Sequence, residues 1–336
     1  MFFNGRAPLG EILNLRRAET TQRVTELKDE LKQAEERCTD KACVYATGSF
    51  GRGEASQHSD LDLVIVGRGA QDERAFTNLD EILIKADLIN ATRKIGIPDF
   101  SGDGEYLTHY TVAELVENLG LPEDDVKNTF TARLLLLLES SSLLGQSVYR
   151  TIIQDVINAY WKDYEGHEHD YLPAFLANDI LRMWRTFCVN YEVRTANDPP
   201  ERKAKRKLKN YKLKHSRLAT CYSAILYLLI IFSKKETVTP ADVSEMIGLT
   251  PTGRFEWMLS QPEVASAHPG LEKLINCYEQ FLANTDASEE EMIRRFLDNH
   301  ESASFVQPAS QFGDLVFAVL DKIGKANNRF YRLLVV

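Results

Sequence analysis

The chain has 336 residues, enough for about two domains at roughly 150 residues each. Its 44% hydrophobic and 26% charged content is that of an ordinary globular protein, so a core of normal size can form without disulfide or metal staples. A net charge of −9 excludes a protein coated with basic surface for non-specific nucleic-acid binding, while leaving room for a local basic groove.

The N-terminus, from Met1 to Arg6, lacks the charged region and sustained apolar stretch of a secretion signal. Helical spacing runs over 9–37, with many Glu, Lys and Arg between apolar positions. A short β-like run at 42–47 ends at Gly48, and 59–66 reads as a second strand in which Asp60 and Asp62 alternate with Leu61 and Leu63. A helix is expected over 76–95, with Thr77 or Asn78 near its start and Gly96 just past its end. Residues 97–110 hold Pro98, Gly102 and Gly104 and read as a loop leading into an edge strand or hairpin.

From about Thr111 the pattern turns helical and stays so, with helices expected over 129–142, 149–164, 171–191, 203–232, 240–247, 270–284, 288–299 and 311–323. The most apolar run, 224–232, is too short to span a bilayer. The fold class is therefore α+β, a small α/β domain over 1–120 followed by a larger all-helical domain over 121–336. The five cysteines (Cys38, Cys43, Cys188, Cys221 and Cys277) are odd in number and contain no C-x-x-C pair, as expected of free thiols in a reducing cytoplasm. A soluble cytoplasmic protein, with no membrane partner, is the expectation.

The chemistry concentrates in Gly48-Ser49-Phe50-Gly51-Arg52-Gly53-Glu54, followed after five residues by Asp60-Leu61-Asp62. A glycine-serine turn after a strand lets backbone N–H groups approach a phosphate closely, since glycine has no Cβ to block it, and the serine hydroxyl adds a donor. Aspartates at i and i+2 on a strand project from one face and can hold divalent ions, which prefer hard oxygen ligands. Each half is common alone; in this order, each after strand-like sequence, they form a specific signal.

This string closely resembles the signature of the DNA polymerase beta-type nucleotidyltransferases. Its Gly-Arg-Gly-Glu extension is most similar to the bacterial subgroup that contains the PII-protein uridylyltransferases. The segments 178–186 and 208–213 also look similar to the helical half of uncharacterised members. The resemblance implies a mixed sheet, and transfer of a nucleoside monophosphate from an NTP, ATP among them, to an acceptor hydroxyl on a protein or RNA, with Mg²⁺ or Mn²⁺ as cofactor. It implies that Gly48 and Ser49 bind the triphosphate, that Asp60 and Asp62 bind metal, and that Arg52 sits by the phosphates or braces the turn against Glu54. A third carboxylate is implied on a later strand, catalytic and metal-binding; Asp99 is the first choice, with Asp103 and Glu105 in the same stretch. A regulatory nucleotide-binding protein without turnover and a defence-type enzyme that modifies a partner protein are the alternatives.

In the helical half, Asn178, Arg182 and Arg185 share one helix face that could hold phosphate or base, or pair with acids such as Asp179. The run 202–217 holds nine Lys/Arg and no acid, with Lys205, Lys209 and Lys212 at helical spacing; it is either an anion-binding stripe, for a triphosphate or an RNA backbone, or a solvated face. His167 and His169 lack a metal-binding spacing and read as part of an exposed linker.

Overall fold

A computed structural model of the chain describes residues 10–69, 75–100, 107–192, 199–325 and 328–335. In chain order the elements are α1 (Glu11–Glu30), α2 (Lys32–Cys38), β1 (Ala42–Thr47), α3 (Gly48–Gly51), β2 (Asp62–Gly67), α4 (Asn78–Lys94), β3 (His109–Thr111) and α5 (Val112–Glu117). Next come α6 (Glu123–Val126), α7 (Thr129–Glu139), β4 (Ser141–Leu144), α8 (Gln146–Tyr160), α9 (Ala174–Glu192), α10 (Pro200–Lys212) and α11 (Leu218–Lys235). The chain continues through α12 (Pro240–Ile247), α13 (Pro251–Leu259), α14 (His268–Asn284), α15 (Glu289–Leu297), α16 (Asn299–Gly324) and α17 (Asn328–Val335). The class is α+β, with one small mixed sheet and a preponderance of helix.

Two compact units emerge. One is formed by Glu19–Asp179 with Lys235–Thr250 and carries the sheet; the other, by Met1–Ala18, Ile180–Lys234 and Pro251–Val336, is helical. The stretch expected to continue the helix from 129 to 142 instead ends α7 at Glu139 and turns extended, so that 141–144 becomes a strand of the sheet. Ser140 and Tyr149 share a hydrogen bond of 2.8 Å across this change of direction.

The sheet order is β3-β2-β1-β4. β1 runs antiparallel to both neighbours, and β2 and β3 are parallel. β3 follows β2 through α4, the crossover that a parallel pair requires. β1 is buried along its whole length, which explains its apolar run from Ala42 to Ala46. Val44 and Ala46 join Leu63, Ile65, Ile84 and Leu88 in one cluster with α2 and α4. Tyr45 takes part in a different contact: its hydroxyl donates to Ala132 O of α7 at 3.3 Å and its ring lies 6.0 Å from that of Tyr149. Thr77 caps α4 through a reciprocal box with Asp80, and Gly96 beyond its end has φ +71°.

Within the helical unit, Glu279 on α14 accepts from the N–H groups of Gly10, Ile12 and Leu13 at 3.1, 2.8 and 3.2 Å, satisfying donors that the first turn of α1 leaves without intrahelical partners. α10, a π-helical turn at Leu213–Arg217 and α11 form one continuous helix, Pro200–Lys235. The apolar run read as too short for a bilayer thus belongs to a helix of 36 residues, long and apolar enough to cross a membrane by length and composition. Its most apolar window is 83% buried inside the protein, as expected for a core helix.

Candidate active site

The antiparallel register of β1 and β2 sets Thr47 opposite Asp62, so the chain leaves β1 at Gly48 beside the first residue of β2. Gly48 has φ +63°, and a methyl group there would stand 2.6 Å from Asp62 Oδ2. Glycine is therefore needed twice, for the left-handed backbone and for the close approach of the carboxylate. Residues 48–51 form a single helical turn, closed by Arg52 N–H to Gly48 O at 3.0 Å, and Glu54 N–H returns to Ser49 O at 2.8 Å.

Asp62 is half-buried; Asp60 is exposed and precedes the strand, which starts three residues later than the sequence pattern suggests. The alternation still holds, because Leu61 and Leu63 are both buried in the core. The carboxylate placed beside the glycine turn is that of Asp62, a hard oxygen donor of the kind that Mg²⁺ or Mn²⁺ prefers. Among the described residues no group of three or more His, Cys, Asp or Glu side chains is placed to hold an ion.

Beneath the turn lies a buried ionic brace. Arg52 donates from Nε to Glu54 Oε2 at 2.8 Å and from Nη1 to Glu139 Oε2 at 3.2 Å. Glu139 Oε1 accepts from Gly48 N–H at 3.2 Å, and all three side chains are buried. Of the two roles open for Arg52, the geometry gives the brace, with Glu139 as a second acid that the sequence did not suggest. A Cβ at Gly51 would fall 2.0 Å from Glu139 O, so the end of α7 presses directly on the turn. The far side of the following loop rests on α1, where Thr20 Oγ1 accepts from Ala55 N–H at 2.9 Å. Arg23 donates to Ser56 O and lies 5.0 Å over the Phe50 ring. Burial lowers the pKa of that guanidinium, while Glu26 and Glu19 act in the opposite direction.

The other expected site residues are dispersed. Asp99 follows α4 as an exposed side chain, bonded to Arg93 Nε at 2.9 Å. That hydrogen bond and the guanidinium charge hold its carboxyl below the usual carboxylate range. Asp103 and Glu105 lie outside the described residues. Arg182 on α9 and Lys209 and Lys212 on α10 belong to the helical unit; Arg182 is half-buried and the two lysines are exposed. Asp179, named as a possible partner for the arginine face, instead accepts from Tyr160 at 2.7 Å and lies 3.8 Å from the buried Arg133. His167 and His169 are exposed, with His167 Nδ1 3.7 Å from Asp170.

Residues 24–129, about a third of the chain, match the family model of a nucleotidyltransferase domain. The segment that carries the glycine turn and both aspartates is therefore similar to nucleotidyltransferase domains. No curated protein matches the chain. Glu139 and β4 fall beyond the matched residues, although both touch the turn or its strand.

Proposed function

We propose that the chain is a metal-dependent nucleotidyltransferase that moves a nucleoside monophosphate from an NTP to an acceptor hydroxyl on a protein or an RNA. The observation that carries this reading is the contact between Gly48 and the Asp62 carboxylate, which brings a phosphate-type turn and a cation-type acid to one point. The Gly-Arg-Gly-Glu extension supports kinship with the uridylyltransferase-like bacterial subgroup. A divalent cation held by Asp60 and Asp62 would neutralise charge on the triphosphate and on the departing pyrophosphate.

The residues of the turn have separable tasks. Gly48 N–H is engaged by Glu139, so the Ser49 hydroxyl and the amides at the open start of the turn are the donors for phosphate. Arg52 acts through the shape of the turn and not on the phosphates. The acceptor oxygen attacks the α-phosphorus, the bond to the β-phosphate breaks, and the acceptor proton passes to a carboxylate. Asp99 is the described acid proposed for that proton, and a base must reach the hydroxyl directly or through one water.

Incubating the protein with each labelled NTP, Mg²⁺ or Mn²⁺ and cell lysate tests the reading, since label should pass to protein or RNA with release of pyrophosphate. Label remaining in NTP under all conditions would contradict it. Asp99→Ala should lower kcat far more than NTP affinity; an unchanged kcat moves the proton-accepting role to Asp103 or Glu105.

A further inference from the structure

The helical unit holds a cavity of about 140 Å³ between α10, α15 and α16, independent of the nucleotidyltransferase motif. Its walls are aromatic: Phe296 and Phe305 stack with ring centroids 4.8 Å apart, and Tyr211 meets Phe305 edge-on at 5.1 Å. All three rings are buried. The Tyr211 hydroxyl is buried and closes no hydrogen bond among the described residues, Asn284 standing near enough to act on its ionisation but outside hydrogen-bond geometry. Lys207, Asn210 and Lys214 also line the cavity, and both lysines are exposed. No acid lines it, in a chain whose net charge is −9.

Three features of this cavity select a ligand. Its size is close to the ~150 Å³ that accepts a benzene ring in an engineered apolar cavity. Aromatic walls favour a flat unsaturated ring through offset or edge contacts. Two lysines seven residues apart on one helix supply cationic donors for an anion, and the Asn210 amide adds orientation. The stripe expected to bind anions through Lys209 and Lys212 thus offers a different pair, Lys207 and Lys214, on the face that carries Tyr211. From this juxtaposition we infer that the helical unit binds a small molecule made of one six-membered aromatic ring bearing a carboxylate or a phosphate.

Calorimetric titration of the full chain with benzoate, phenyl phosphate and the neutral benzyl alcohol tests the inference. At least one of the two anions should bind, and benzyl alcohol should bind at least tenfold more weakly. The double variant Lys207→Glu/Lys214→Glu should lose at least tenfold in affinity for that anion with an unchanged melting temperature, because both side chains are exposed. The charge-matched control Arg202→Glu/Lys203→Glu, also on α10 but outside the lining, should bind as the wild type does. Relative affinity for benzoate and phenyl phosphate then distinguishes carboxylate from phosphate. Absence of binding by both anions, equal binding of benzyl alcohol, or equal loss in the control would overturn the inference.

Discussion

At the residue scale, the decisive arrangement is Gly48 pressed between the carboxylates of Asp62 and Glu139. One acid faces the proposed phosphate site; the other takes the Gly48 N–H and, with Glu54, holds Arg52. A buried ion pair contributes modestly as a whole, but removing one partner leaves an uncompensated buried charge at a cost of about 3–5 kcal/mol. Arg52→Met should therefore destabilise the protein by about 3 kcal/mol or more in denaturant unfolding. A loss under about 1 kcal/mol would show that the brace is unimportant for stability and return Arg52 to a phosphate-binding role. The glycine, serine and aspartates were legible in the sequence because their chemistry requires them within fifteen residues of one another. Glu139 was not, because it is brought in from 91 residues away and closes the run Leu134–Leu138, where an acid reads as the solvated end of a core helix.

At the element scale, β1, α4 and the edge strand β3 were legible because each carries local signals: an apolar run before glycine, a threonine cap, and a loop rich in glycine. β4 carried none. Its Ser-Ser-Leu-Leu has no alternation and sits between two helices, so only its pairing with β1 makes it a strand. The π-helical turn was equally hidden, and it places His215 in an aromatic cluster. Its ring stacks on Phe281 at 4.5 Å, and Nδ1 lies 2.9 Å from Tyr211 O, the geometry of a neutral ring donating N–H to a carbonyl. Burial pushes its pKa down to about 4. The folded state thus refuses a proton that the unfolded chain accepts near pH 6.5, so the contribution of this group is fully present above that pH. It is lost progressively as pH falls toward 4, by up to about 3 kcal/mol at ~1.4 kcal/mol per unit. His215→Leu should flatten the fall in melting temperature between pH 7 and pH 5. If wild type and variant fall in parallel, His215 is protonated in the folded state and the account of this turn fails.

At the scale of the whole molecule, burial decides which groups are chemically available. All five thiols are free of disulfides; Cys38, Cys43, Cys221 and Cys277 are buried, and Cys188 is partly exposed. Burial raises the pKa of each of the four, to about 12 for Cys38 and Cys221, so their thiolates are scarce at neutral pH. A disulfide-exchange reagent should label one thiol rapidly in the native protein and five after denaturation; rapid native labelling of two or more would contradict the packing of both units. The central claim concerns the aspartates that follow the glycine turn, Asp60 exposed and Asp62 half-buried. Its most direct test is transfer of label from NTP by Asp62→Asn at saturating Mg²⁺, compared with wild type and with Asp60→Asn. The account predicts loss of turnover by at least a hundredfold in both variants with an unchanged or raised melting temperature, since each change removes a ligand and relieves carboxylate repulsion. Wild-type turnover in Asp62→Asn would contradict it.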